Sequence, residues 1–156
     1  MLQASSSVLI NASPELVFEL LRRPEEMTSR MASVREFKVI SRGVDSILTE
    51  TVAAADGRDT TFILQLDFHP PGRVDFRQLK GELRSLQGED ILEPGPDGIR
   101  VTETIRFDIG LPIFGDLLGR MGIQQKIQQQ IEERLAVLKA MAEGQPGPQP
   151  PAKDRD

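Results

Sequence analysis

The sequence predicts an α+β domain in which a curved antiparallel β-sheet wraps around one long C-terminal helix, with two short helices near the N-terminus. Alternating apolar residues, interrupted by short turn sequences, recur between residues 35 and 109 and predict consecutive strands. An apolar spacing of three or four residues follows, from Phe114 to Glu143, and predicts a helix. Because a single helix cannot cover both faces of so large a sheet, we expect the sheet to curl around it.

The N-terminal segment predicts one strand and the two short helices. Residues 8–12 alternate with the period of a strand. Ser13 followed by Pro14 is typical of a helix start, with Ser as the N-cap and Pro at the first helical position. This helix should end just before Pro24, and a second short helix is predicted for residues 25–31.

The central meander is bounded by turns rich in Gly, Pro and Asp, such as Asp56–Asp59 and Pro94–Gly98. Short turns between consecutive strands predict antiparallel pairing. The predicted strands are residues 35–41, 47–55, 60–69, 73–79, 83–92 and 99–109. In the third of them, Phe62, Leu64, Leu66 and Phe68 should face the helix.

The domain is expected to span residues 1–143, followed by a disordered tail over residues 144–156. The tail reads GQPGPQPPAKDRD and contains no apolar residue larger than Ala, so it cannot bury enough surface to order itself. A PxxP motif for a partner domain is the alternative interpretation of this segment.

The composition argues against several classes of function. The 156 residues carry a net charge of −5 with no basic cluster, so no nucleic-acid partner is expected. Cysteine is absent, which removes disulfides and thiolate chemistry. No signal peptide or transmembrane span is predicted, and the expected location is therefore cytoplasmic, with a membrane-peripheral position as the alternative.

The single histidine does not predict a catalytic or metal site. His69 alternates with the inward-facing Phe68, so it should point outward, and no GxSxG sequence supplies a nucleophile for it. One histidine would leave only carboxylates to complete a zinc site. We therefore expect neither a metal ion nor a cofactor.

Two carboxylates interrupt the apolar faces of their strands. Glu103 belongs to the inward set with Val101 and Ile105, and Asp90 shares a face with Leu92. Burying a carboxylate without a partner is costly, so the site should hold a partner group, a water molecule or a proton.

The hairpin that joins these two strands allows two registers. If Leu92 opposes Val101, Asp90 lies across from Glu103; if Leu92 opposes Ile99, Gly88 faces Glu103 and leaves a gap for a ligand. Either register places polar atoms in an apolar interior, as in many small-molecule sites. The alternative is a structural pair satisfied by Arg84, Gln78 or buried water.

The segments VLINASPELVFELLRRPEEM and GRVDFRQLKGELRSLQGEDILEPGPDGIRVTETIRFDI, with the closing helix, carry a family resemblance. Over residues 5–143 the chain resembles the START-like, or Bet v 1-like (SRPBCC), superfamily, and is most similar to its polyketide cyclase/dehydrase and coenzyme-Q-binding (Coq10-like) branch. The resemblance implies a helix-grip fold with a cavity for lipids, quinones, sterols or aromatic polyketides. The family often has Trp in a G-x-W stretch, where this chain has Asp90.

Binding or transport of a hydrophobic small molecule, such as a lipid, quinone, isoprenoid or aromatic polyketide, is the predicted function. The alternatives are a polyketide cyclase, aromatase or dehydratase that uses Glu103 and Asp90, and a protein-interaction module with a filled interior. Enzyme activity is the less favoured prediction because no Tyr is present to act as a cavity acid.

The predicted ligand-binding residues combine cavity walls, polar groups and the start of the long helix. They are Phe62, Leu64, Leu66, Phe76, Gln78, Gly88, Asp90, Glu103, Ile105, Phe107, Phe114, Leu118 and Met121. The apolar residues at the helix start are interpreted as the end of the cavity. A portal that touches a membrane transiently while the ligand loads is the alternative.

Overall fold

The computed structural model describes residues 1–55, 58–110 and 117–144, without the side chains of residues 55, 58 and 117–120. The predicted turn at Asp56 and Gly57 and the tail from residue 145 onward lie outside the described residues. The elements are β1 (Leu2–Ile10), α1 (Pro14–Arg22), α2 (Glu25–Ser29), β2 (Val34–Arg42), β3 (Ser46–Ala55), β4 (Arg58–His69), β5 (Arg73–Lys80), β6 (Ser85–Gly95), β7 (Gly98–Asp108) and α3 (Leu117–Ala142).

The strands form one antiparallel sheet in the order β1-β7-β6-β5-β4-β3-β2. Strands β2 to β7 are consecutive neighbours, as short turns between them predict, and β1 closes the order by pairing with β7. The curved sheet, the long C-terminal helix and the short N-terminal helices make the α+β helix-grip fold that the sequence predicts.

The first helix begins where the sequence indicates. Ser13 is its N-cap, and the Ser13 hydroxyl accepts a hydrogen bond from the Leu16 backbone N–H at 3.2 Å. Val17, Phe18 and Leu21 are buried on its inner face. Helix α1 therefore closes one end of the domain through the amphipathic pattern that its sequence carries.

The long helix α3 packs mainly against β1, with smaller contacts to α1, α2 and β7. Its buried residues include Ile127, Ile131, Leu135 and Leu138, which recur every three or four positions. They meet the inward side chains of the sheet, among them the fully buried Phe107. One continuous core therefore joins the helix to the sheet.

Strand β1 begins at Leu2, six residues before the start that residues 8–12 predict. Its first six residues read LQASSS and lack the apolar alternation of a half-buried strand. Side chains of α3 instead bind the free edge of this strand. The contacts are Gln124 Nε2 to Gln3 O (2.6 Å), Gln128 Nε2 to Ser5 O (2.8 Å), Ser5 N to Gln128 Oε1 (3.2 Å) and Lys139 Nζ to Leu9 O (2.8 Å). The helix thus covers an edge that would otherwise expose unpaired backbone groups.

Candidate functional site

A cavity of about 440 Å³ lies between the sheet and α3. Strands β2 to β7 supply one side and α3 the other, and α2 and its following loop contribute at one end. The lining residues are Pro24, Thr28, Met31, Ser33, Val34, Phe37, Thr49, Thr51, Ala53, Thr60, Thr61, Phe62, Leu64, Leu66, Phe76, Gln78, Glu82, Leu83, Leu86, Glu103, Ile105, Ile123, Lys126, Ile127, Gln130, Ile131 and Arg134. The volume falls within the range of small-molecule sites, and the interior is not the filled one expected of a pure interaction module.

Most of the described residues predicted to bind a ligand line this cavity. They are Phe62, Leu64, Leu66, Phe76, Gln78, Glu103 and Ile105. Alternation along β4 and β7 places the apolar members on the inner face of the sheet, toward α3. Their contact with a ligand remains a prediction.

Gly88, Phe107 and Met121 do not line the cavity, although they were predicted as ligand-binding residues. Gly88 lies beneath the ring of Phe76, and a Cβ added to Gly88 would lie 2.7 Å from Phe76 Cζ. Phe107 is fully buried core, and Met121 is 55% exposed. Phe114 lies outside the described residues, and the side chain of Leu118 is not described.

The β6–β7 hairpin adopts the register in which Leu92 opposes Val101 and Asp90 opposes Glu103. Gly98 closes the turn at a φ of +133°, which favours glycine. The other register, with Gly88 across from Glu103, is therefore wrong. Gly88 instead opposes Ile105, so the space above it belongs to Phe76 rather than to a ligand.

Arg134 of α3 binds both buried carboxylates. Its Nε donates to Glu103 Oε1 and its Nη2 to Asp90 Oδ2, each at 2.8 Å. Its Cζ lies 5.8 Å from the centroid of the Phe76 ring, within the range of a cation–π interaction. Two strands and the helix therefore meet in one buried ion cluster, which we call the Asp90–Glu103–Arg134 cluster.

The three members of the cluster differ in their access to the cavity. Glu103 and Arg134 line the cavity, and 23% of the Arg134 side chain is exposed. Asp90 is 1% exposed and lies behind them, outside the lining. Asp90 was predicted to contact a ligand, but in the structure it does not line the cavity and lies behind Glu103 and Arg134.

Asp90 is the least satisfied group of the cluster. Its Oδ1 atom is buried and has no hydrogen-bond partner among the described residues. Burial raises the pKa of Asp90 well above its ordinary value, and the nearby Glu103 raises it further, while Arg134 opposes both effects. A proton on Asp90 would relieve the repulsion between the two carboxyl groups and could be donated to Glu103.

The sequence reasoning missed Arg134 and proposed other partners for the carboxylates. Gln78 Nε2 donates to Leu83 O at 2.8 Å, and Arg84 lies near Asp108, so neither is the partner. A signal was present: Arg134 lies three residues after Ile131 and four before Leu138, on the buried face of the helix. A cation at such a position predicts a buried anion opposite it.

His69 points outward, as the alternation predicts, and its side chain is 55% exposed. Its Nε2 lies 3.1 Å from Asp75 Oδ2 on the outer surface, away from the cavity lining. Within the described ranges, no group of three His, Cys, Asp or Glu residues is arranged to hold a metal ion. No helix in that part of the chain is long and apolar enough to cross a membrane.

The sequence matches the model of a protein family over residues 1–143. That family is described as polyketide cyclase/dehydrase and lipid transport. The chain belongs to this family. The match agrees with the resemblance predicted from the sequence, although no comparison singles out the coenzyme-Q-binding branch. A search of curated proteins finds no significant match.

Solved structures share the fold. TTHA0849 from Thermus thermophilus is 25% identical with a TM-score of 0.83, covering 90% of this chain and 97% of that one. The Zhui aromatase/cyclase from Streptomyces sp. R1128 is 16% identical with a TM-score of 0.81, covering 91% and 93%. A START superfamily protein from Mycobacterium smegmatis is 15% identical with a TM-score of 0.72, covering 91% and 97%.

Proposed function

We propose that this protein binds a hydrophobic small molecule in the cavity between the sheet and α3, and carries or presents it. The observation that carries the proposal is the cavity of about 440 Å³, whose walls are mostly apolar and include the hydrogen-bonded pair Glu103 and Arg134. Apolar walls supply affinity by removing ligand surface from water, and a few fixed polar groups orient the ligand. Membership of a family described by both polyketide cyclisation and lipid transport supports the same class of ligand.

Lipids, quinones, isoprenoids and aromatic polyketides all fit the apolar part of this proposal. Phe62 and Phe76 offer ring faces to an aromatic ligand, and Leu64, Leu66 and Ile105 offer the same walls to an alkyl chain. The polar group of the ligand would lie at Arg134 and Glu103, the charged pair on the cavity wall.

Native mass spectrometry of the purified protein, before and after organic extraction, tests this proposal. We expect an additional mass before extraction, which extraction removes and a lipid, quinone or polyketide restores. A matched pair of variants then locates the site. Leu64→Trp should narrow the cavity and weaken binding, whereas Ile63→Trp, at a position of the same strand that does not line the cavity, should not. Equal binding by both variants would contradict the cavity as the site.

A second candidate function is cyclisation or dehydration of a polyketide. The observation that favours it is Asp90, a buried carboxyl with a raised pKa, set directly across from the cavity-lining Glu103. Glu103 would accept a proton from a carbon next to a carbonyl, and Arg134 would stabilise the developing enolate. Glu103 would then return the proton to the new alkoxide after ring closure, or to the hydroxyl that leaves as water in a dehydration. Asp90 would hold its own proton in a hydrogen bond to Glu103.

Exchange of α-protons tests this second candidate without a native substrate. A bound methyl ketone in D₂O should exchange its α-protons faster with the protein than without it, as followed by NMR. Glu103→Gln should abolish the acceleration because an amide does not accept the proton. Ketone that binds without accelerated exchange would leave binding as the only function supported.

A further inference from the structure

We propose that the cavity selects ligands whose polar group is electrically neutral, a carbonyl, hydroxyl or ester, over ligands that end in a carboxylate or phosphate. This inference rests on the proposed binding function and adds a ligand class to it. The observations that carry it are the balance of charges along the cavity wall and the hydrogen bonds within the Asp90–Glu103–Arg134 cluster.

The charged residues that line the described part of the cavity cancel in sign. Glu82 and Glu103 are acidic, and Lys126 and Arg134 are basic. Glu82 and Lys126 are each engaged in an interaction within the protein. Arg134 is bound by Glu103 on the cavity side and by Asp90 behind it. The wall therefore offers no excess positive charge to an anionic ligand.

Asp90, the third member of the cluster, makes the net charge at this place less favourable still to an anionic ligand. With Asp90 ionised, the cluster carries two negative charges against one positive charge; with Asp90 protonated, it is neutral. Asp90 Oδ1 is buried without a hydrogen-bond partner among the described residues, and the raised pKa of Asp90 agrees with a proton there. In neither state is the cluster positive, so a carboxylate entering the cavity would lose its hydration without gaining a counter-ion.

A neutral polar group of a ligand finds hydrogen-bond partners at this part of the cavity wall. The guanidinium of Arg134 has five N–H donors, of which the carboxylates use two, one on Nε and one on Nη2. Part of its side chain is exposed, at the cavity wall, so a ligand carbonyl could accept a hydrogen bond from it. Two buried threonines, Thr49 and Thr51, also line the cavity; the Thr49 hydroxyl donates to Leu64 O at 3.4 Å and can accept from a ligand hydroxyl. A carbonyl or hydroxyl therefore finds donors at no cost in unpaired charge.

Two matched ligand sets test the inference on the intact protein. The linear set is decanol, methyl decanoate and decanoate, and the fused-ring set is acetylnaphthalene and naphthoate. Displacement of Nile red, a neutral dye, reports their affinities near neutral pH. We expect the neutral members of each set to bind about tenfold or more tightly than the carboxylate, because the carboxylate must be desolvated without compensation.

A charge-altering double variant tests the cause. Asp90→Asn with Glu103→Gln leaves Arg134 uncompensated and should move the affinity ratio toward the carboxylate by about tenfold or more. The matched control is Asp75→Asn with Glu89→Gln. Asp75 and Glu89 are also directly opposed carboxyl residues on neighbouring strands, they lie outside the cavity lining, and the two substitutions convert the same two residue types to their amides. The control should leave the ratio unchanged.

The outcomes separate the inference from the proposed function. If carboxylates bind as tightly as their neutral counterparts in the wild-type protein, the charge argument is wrong while ligand binding stands. If neither class displaces the dye, the proposed function fails and the inference fails with it. Should the double variant not fold, the ranking of ligands by the wild-type protein decides the matter alone.

Discussion

Arg134 holds together two carboxylates that would otherwise repel each other inside the domain. Its hydrogen bonds to Glu103 and Asp90 are both 2.8 Å, and each carboxylate is almost completely buried. The cluster is costly to desolvate, so its presence is weak evidence of net stabilisation. Removing one partner is different, because the remaining charges stay buried without compensation.

Arg134→Met should therefore destabilise the protein by about 3–5 kcal/mol near neutral pH. The loss should shrink in acid, where the carboxyl groups can take up protons. Urea unfolding near neutral pH and in acid measures both the loss of stability and its dependence on pH. The control is Arg100→Met on the exposed side of β7, which should stay within about 0.5 kcal/mol of wild type. A small, pH-independent effect of Arg134→Met would show that the cluster is not a coupled ionic unit.

The raised pKa of Asp90 predicts how the free energy of unfolding should change with pH. Burial first, and then Glu103, raises the pKa of Asp90, so the folded state holds its proton more tightly than the unfolded state. The free energy of unfolding should then be highest, as far as Asp90 is concerned, below the unfolded value of about 3.9, and should fall as pH rises through the folded value. Asp90→Asn removes this titration.

Urea unfolding over pH values from about 4 to about 8 tests this sign by difference. The stability of Asp90→Asn relative to wild type should increase as pH rises, since only the wild type loses stability to Asp90 ionisation. Asp97→Asn, which changes an exposed carboxyl in the turn between β6 and β7, serves as the control and should run nearly parallel to wild type. A relative stability that decreases with pH would mean that Asp90 is held as a well-compensated carboxylate.

At the scale of elements, side chains of α3 hydrogen-bond to the free edge of β1 and so cover that edge of the sheet. Gln128 both donates to Ser5 O and accepts from Ser5 N, as a neighbouring strand would do. Gln128→Ala should cost about 0.5–1 kcal/mol because the bonds lie near solvent. Gln129→Ala changes an exposed glutamine of the same helix that does not bind β1, and should leave the free energy of unfolding nearly unchanged. Thermal or urea unfolding of the two variants should differ accordingly; equal values would mean that the edge is satisfied equally well by water.

The same elements show what a sequence can and cannot predict. Strands β2 to β7 were predictable because each alternates on a half-buried face between turns that Gly, Pro and Asp mark. The first six residues of β1 were not, because their free edge is bound by glutamine side chains of a distant helix and their sequence shows no regular apolar face. The Asp90–Glu103 pairing required the hairpin register, which the turn left open between two solutions. To predict that Arg134 binds these two carboxylates, one needed both the hairpin register and the rotation of α3 about its axis.

At the scale of the whole molecule, residues 145–156 are expected to contribute nothing to folding. Their Pro- and Gly-rich composition contains no apolar anchor, whereas Glu143, directly after α3, still contacts the domain by accepting from Asn11 N at 2.9 Å. Truncation after Gly144 should leave the thermal midpoint within about 2 °C of the full chain. Differential scanning calorimetry measures this, and a larger drop would mean that the tail docks on the domain.

In the molecule as a whole, the sheet and α3 enclose a cavity of about 440 Å³ between them. The central claim is that a ligand occupies this cavity. The chain has no Trp and no Tyr, so a single introduced Trp is a unique reporter. Phe62→Trp places it in the cavity wall, and Ile63→Trp places it at the adjacent position of β4, outside the lining. We expect methyl decanoate or acetylnaphthalene to change the emission of the Phe62→Trp protein saturably, and to leave that of the Ile63→Trp protein unchanged. No saturable change at position 62, or an equal change at position 63, would contradict the cavity as the ligand site.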